Sequence, residues 1–188
     1  LAVTKSSQFT LLDLLTFNII SQPTVFLNRR LALDLGGLNQ SLQLLFDHEM
    51  WIRIASRVPI HFENQIWAIT RIHSESKNSR GWSKFSQEAN FIISNLKSNS
   101  IVRQVIDSNS KQIEGGISCF SGNYALVNGD FAFAWKEFKK ALWLYPRFIK
   151  RIWLQVIILF LMVIHVIHPG PQFYSIRRAF KTKIKNQS

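Results

Sequence analysis

Phe46-Asp47-His48-Glu49-Met50-Trp51-Ile52-Arg53-Ile54 puts two carboxylates at the head of an apolar-periodic run. Met50, Trp51, Ile54 and Ala55 recur at helical spacing, so the stretch reads as a helix with a core-facing stripe that ends before Pro59. Asp47 stands where an N-cap belongs, its carboxylate suited to accept backbone N–H bonds at a positive helix end. Glu49 and Arg53 are four apart, a spacing that pairs them across one helical turn.

Upstream of this helix, Thr24-Val25-Phe26-Leu27 is β-branched and apolar, bounded by Pro23 and by Asn28-Arg29-Arg30, and reads as a buried strand. Leu31 to Leu35 reads as a helical turn that Gly36 ends in the left-handed conformation. Ahead of both, Leu11, Leu12, Leu14, Leu15 and Phe17 predict a short helix from about Thr10 to Phe17. Downstream, Ile60-His61-Phe62 and Ile66-Trp67-Ala68-Ile69-Thr70 read as strands, the second leading into Arg71-Ile72-His73.

Taken together, the Arg29-Arg30 pair at a strand end, the Gly36-Gly37 turn, the Asp47-to-Arg53 helix and the Arg71-x-His73 tail resemble, in order and spacing, the acceptor half of a family 2 glycosyltransferase of the GT-A fold. Phe46 departs from that pattern, where a second acid often precedes the aspartate. The resemblance implies an α/β fold class: residues 1–80 as the acceptor-side, C-terminal half of a nucleotide-diphospho-sugar transferase domain, followed by an α-helical extension. It also implies an inverting transfer of a sugar from a nucleotide-diphosphate donor to an acceptor hydroxyl of a glycan or glycolipid. Polysaccharide or glycolipid synthesis is the setting expected for that reaction.

The same resemblance distributes roles among the residues. Asp47 becomes the catalytic base that deprotonates the acceptor hydroxyl, a role its spacing alone gives no stronger claim to than a plain N-cap. Glu49 lies two residues on, roughly 200° around the helix, so the two carboxylates do not point the same way. Glu49 is then either an acceptor-binding group or the partner of Arg53, and Trp51 either core or a wall of the acceptor pocket. Arg71 is assigned to the donor diphosphate, or else to a core acid. His73 is assigned to a divalent metal, Mn or Mg, that neutralises the leaving diphosphate; as an isolated residue it reads as a surface histidine.

No Asp-x-Asp, the metal and nucleotide motif of that fold, occurs in the 188 residues. The donor-binding half is therefore expected to lie outside this sequence, which opens on Leu1 and is read as a fragment inactive on its own.

From residue 81 onward the pattern is helical. Gly122 to Pro146 spaces Gly129, Ala134, Phe138 and Ala141 as a tetratricopeptide repeat spaces its small residues, so 81–148 reads as an extension containing one such helical pair. One pair does not bury its own face and must pack on its neighbours. Residues 149–188 form the third region, an apolar helix with a basic tail. Ile152 to Ile167 is interrupted only by Gln155 and His165 and would span about 24 Å as a helix, short of a ~30 Å hydrocarbon core. Crossing a membrane, lying on it and burial in a core all stay open for this run.

Charge separates the regions. The net charge is +12, and residues 139–188 hold ten Lys and Arg with no acid, whereas the rest of the chain is nearly balanced. Such a tail meets an anionic surface, and because its cations bracket an apolar helix without interleaved stacking aromatics, phospholipid is favoured over nucleic acid. The localisation expected is peripheral, at the cytoplasmic face of the cell membrane. The single cysteine, Cys119, excludes an internal disulfide framework. The rival reading, from a different functional class, is a non-enzymatic helical adaptor that binds a protein partner and an anionic membrane.

Overall fold

A computed structural model describes residues 8–69 and 82–163. Among them are eight α-helices: α1 (Leu11–Leu15), α2 (Arg29–Asp34), α3 (Phe46–Ala55), α4 (Trp82–Leu96), α5 (Ser100–Ser108), α6 (Ser110–Val127), α7 (Phe131–Leu144) and α8 (Ile149–Val163). Short 3₁₀ turns cover Gln22–Thr24 and Pro146–Phe148. No strand and no sheet are present among the described residues, so the α/β class expected from the sequence is corrected to an all-helical one.

The causes are local. Pro23 sits inside a 3₁₀ turn, Gln22–Thr24, and Asn28 already caps α2 by accepting from the Leu31 N–H, which leaves only Val25 to Leu27 between them. With Phe26 77% and Leu27 42% exposed, this segment is not the buried strand its composition suggests. Ile60–Phe62 and Ile66–Ile69 lie outside helix and form no ladder with any described residue, and Ile66 and Ile69 are 71% and 77% exposed. Apolar β-prone residues do not make a strand without a second strand to complete the ladder. Thr70, Arg71 and His73 lie outside the described residues.

Helix α6 is the spine. Positions Gly115 through Gly122 are all buried, so the middle of this helix is enclosed on every side, and it separates two apolar clusters. One joins α1, α3, α4, α5 and the first half of α6 around Leu14, Phe17, Ile52, Ile92 and Phe120. The other joins α6, α7 and α8 around Leu126, Phe138, Ile152 and Leu159. Burial all round demands small residues where neighbours come closest. A Cβ on Gly116 would stand 2.5 Å from the Thr16 carbonyl oxygen, and one on Gly122 would stand 2.7 Å from the Phe138 ring. These two glycines therefore set how closely α1 and α7 approach the spine.

Caps fix where the helices begin. Thr10 and Asp13 form a reciprocal capping box at α1, Asn99 accepts from Ile101 and Val102 at α5, and Asp130 accepts from Phe133 at α7. Gly129, at φ +84°, turns the chain from α6 into α7. At α3 the expected cap is corrected. Asp47 is the second residue of the helix, and the N-cap is Leu45, which has no capping side chain. Glu88 of α4 instead holds the chain just ahead of the helix, accepting the N–H groups of Gln43, Leu44 and Leu45 at 2.9, 3.0 and 2.8 Å, while within the first turn the Asp47 carboxylate accepts the His48 N–H at 2.7 Å.

Far from α1 in sequence, Arg151 of α8 donates to the carbonyls of Thr16 and Phe17 at 3.2 and 2.9 Å, tying the last described helix to the end of the first. Phe17 reaches that position with φ +56°, a left-handed conformation unusual for a bulky residue. Its ring is buried and lies 5.0 Å from His48 and 5.2 Å from Phe120. None of the described helices is long and apolar enough to cross a membrane.

Candidate functional site

The first turn of α3 carries Asp47, and one face of the same helix carries Glu49 and Arg53. Glu49 and Arg53 form a two-pronged ion pair, both contacts at 2.8 Å. The guanidinium also donates to the carbonyls of Leu35 and Gly37. Gly36 and Gly37 both have positive φ, +92° and +66°, so the chain leaving α2 reverses in a conformation that glycine adopts without strain. Arg53 thus locks a glycine turn onto α3. Beside it lies an open depression of about 450 Å³, lined by Leu35, Gly36, Leu38, Asn39, Gln40, Glu49 and Arg53.

Of the two carboxylates, Glu49 is 5% exposed and its charge is spent on Arg53. Asp47 is different. It is half-buried and has no ion-pair partner among the described residues, and it accepts the His48 N–H at 2.7 Å. Burial pushes its pKa above the ordinary aspartate value, with the backbone hydrogen bonds opposing the shift. A carboxylate in that condition holds a proton more readily than a surface aspartate does, as a general base requires.

Tyr124 of α6 shares this environment. Its phenol pKa is raised, first by burial and then by the negative charge of Asp47, so the two groups sense each other across elements far apart in sequence. The Tyr124 ring stacks on Phe85 at 4.1 Å and meets Phe120 edge-on at 4.9 Å. No local spacing in the sequence associates Tyr124 with Asp47. The link exists only because α6 passes the start of α3.

Trp51 is 5% exposed and belongs to the first apolar cluster, with no hydrogen-bond partner for its Nε1 among the described residues. His48, adjacent to Asp47, is buried, and its Nε2 lies 2.9 Å from the Leu14 carbonyl. A carbonyl only accepts, so Nε2 carries the proton and the ring is neutral with a bare Nδ1. Desolvation lowers its pKa to about 4. Cys119 is buried, and its thiol is pushed up to about 11 by desolvation, so it stays protonated at neutral pH.

The structure therefore brings Asp47, Glu49 and Trp51 together on one helix with three different environments: half-open, paired and buried. Arg71 and His73 lie outside the described residues. No group of three or more His, Cys, Asp or Glu with metal-binding geometry occurs among the described residues, which do not supply a donor set for a divalent ion. No protein-family model matches the chain, and no significant match was found to curated proteins or to solved structures.

Proposed function

We propose that this chain is the acceptor-side portion of an inverting glycosyltransferase, with Asp47 as the general base. The observation that carries the reading is the contrast within one helix: Asp47 is half-buried, unpaired by any cation among the described residues and raised in pKa, whereas Glu49 two residues on is neutralised by Arg53. Structural acids are paired in this way; an acid left unpaired at a desolvated helix start is available to take a proton.

In the proposed reaction Asp47 accepts the proton of the acceptor hydroxyl. The oxygen lone pair forms a bond to the anomeric carbon, the bond from that carbon to the diphosphate oxygen breaks, and the nucleoside diphosphate leaves with the electron pair. The donor-binding half lies outside these 188 residues, because no Asp-x-Asp occurs in them. No step runs through a metal ion, for which the described residues offer no donor set. Peripheral attachment to the anionic, cytoplasmic face of a membrane belongs to the same reading, supported by the ten cations and absent acids of residues 139–188.

The all-helical architecture of the described residues favours a second reading, a helical adaptor without enzymatic activity. The two are separated by assaying transfer from a panel of nucleotide-diphosphate sugars to glycolipid acceptors, using the polypeptide that carries this chain together with a donor-binding half. Transfer with inversion at the anomeric carbon supports the transferase. Absence of transfer with every donor, alongside stoichiometric binding of a protein partner, supports the adaptor.

A further inference from the structure

Helix α7 is two-faced. Ala134, Phe138 and Ala141 are buried against the rest of the protein, while Trp135, Lys136, Lys139 and Trp143 lie on the opposite side, all exposed. Trp143 is 82% exposed, an extreme value for the largest apolar side chain, and the Lys139 ammonium sits 5.7 Å from the Trp135 ring centre. The chain then passes through exposed Arg147 into α8, where Ile149, Trp153 and Ile157 make a second exposed stripe at i, i+4 and i+8, with Lys150 beside it. Two consecutive helices thus present tryptophan, aliphatic and cationic side chains to solvent, joined by a basic turn.

We propose that this α7–α8 surface is a docking face for an anionic lipid bilayer. The occupant follows from the chemistry of the face. Tryptophan has an apolar body and one N–H donor, which suits the boundary between acyl chains and headgroups. Lysine and arginine around it match phosphate and carboxylate headgroups, and from Lys139 onward no acid opposes them. The Ile149, Trp153, Ile157 stripe is largely aliphatic, which suits acyl chains and offers little for stacking bases. Ile152 and Leu159, on the other side of α8, are buried in the core, so the described part of this helix offers the bilayer only its outer stripe, and no described helix is long and apolar enough to cross a membrane. This inference rests on the membrane part of the proposed function and not on the chemistry of Asp47.

The test is flotation of the full chain with phosphatidylcholine vesicles and with vesicles containing phosphatidylserine, for the native protein, Trp143→Ala and the double variant Lys136→Glu/Lys139→Glu. All three positions are exposed, and circular dichroism confirms that each variant is folded. The native chain should float with the phosphatidylserine vesicles only, with a blue shift of tryptophan fluorescence. Each variant should bind about tenfold more weakly or worse, and high salt should weaken the native chain. Native-like binding by both variants overturns this face while leaving attachment to other residues of the tail. Equal binding to both vesicle types overturns the anionic occupant. No binding to either, with or without capture of single-stranded nucleic acid by the same chain, overturns the inference and the membrane part of the proposed function together.

Discussion

Glu49 and Arg53, four residues apart on α3, pair at 2.8 Å, and the same guanidinium holds the carbonyls of Leu35 and Gly37. One ion pair therefore fixes both the helix face and the turn that leads to it. The Arg53 and Glu49 side chains are 16% and 7% exposed, so removing one partner leaves a buried charge with little water to solvate it. Arg53→Ala should destabilise the fold by on the order of 3 kcal/mol, and Arg53→Lys should recover only part of that, because an ammonium does not reproduce the planar fork. Urea unfolding measures both. A loss under about 0.5 kcal/mol for the alanine variant would show that the pair behaves as an ordinary surface contact.

Gly116 is the closest approach of the spine to α1. The atoms in the way are backbone, the Thr16 carbonyl oxygen at 2.5 Å and Cα at 2.7 Å, and backbone does not swing aside as the end of a side chain does. Gly116→Ala should therefore destabilise by about 1–3 kcal/mol despite the better helix propensity of alanine. Thermal melts compare it with Lys111→Ala, an exposed substitution on the same helix expected to stay within about 0.5 kcal/mol of the parent.

His48 makes stability depend on pH. Its folded pKa, about 4, lies below the value of 6.5 for a free histidine. The unfolded chain therefore binds the proton more readily, so the contribution of His48 is full above pH 6.5 and is lost as the pH falls from there toward 4. A shift of that size corresponds to about 3 kcal/mol. Asp47 runs the other way: its raised pKa costs stability as pH rises through its titration, so Asp47→Asn should not destabilise at neutral pH. Between pH 7 and 4 the stability difference, measured by denaturation, between the native chain and His48→Gln, whose amide can still donate to the Leu14 carbonyl, should shift by about 3 kcal/mol in favour of the variant. A constant difference would mean that His48 does not titrate as its burial requires.

The parts of this fold that were legible in the sequence are those set by residues close in sequence. The i, i+4 spacing of Glu49 and Arg53 foreshadows their ion pair, and the left-handed Gly36 ends the turn after α2 as its position suggests. What misled was composition without a partner. Thr24–Leu27 and Ile66–Ile69 carry β-prone residues, yet a ladder depends on a second strand that no local pattern reveals. The hold of Glu88 on the segment leading into α3 and the field of Asp47 at Tyr124 were equally hidden, since each joins residues more than forty positions apart. Asp47 stands out in the sequence, but it is the second residue of the helix and not its N-cap, and it accepts the His48 N–H from within the first turn.

Whether Asp47 takes the acceptor proton, as proposed, is tested most directly by measuring sugar transfer with Asp47→Asn in a polypeptide that carries this chain together with a donor-binding half. Asparagine keeps the size and the acceptor oxygen that meets the His48 N–H, but it does not take up a proton at working pH. Turnover should fall by about 100-fold or more, roughly the contribution of general-base catalysis, while nucleotide-sugar affinity by calorimetry stays close to that of the parent. Transfer retained within about tenfold would contradict the proposed role and remove Asp47 from the mechanism.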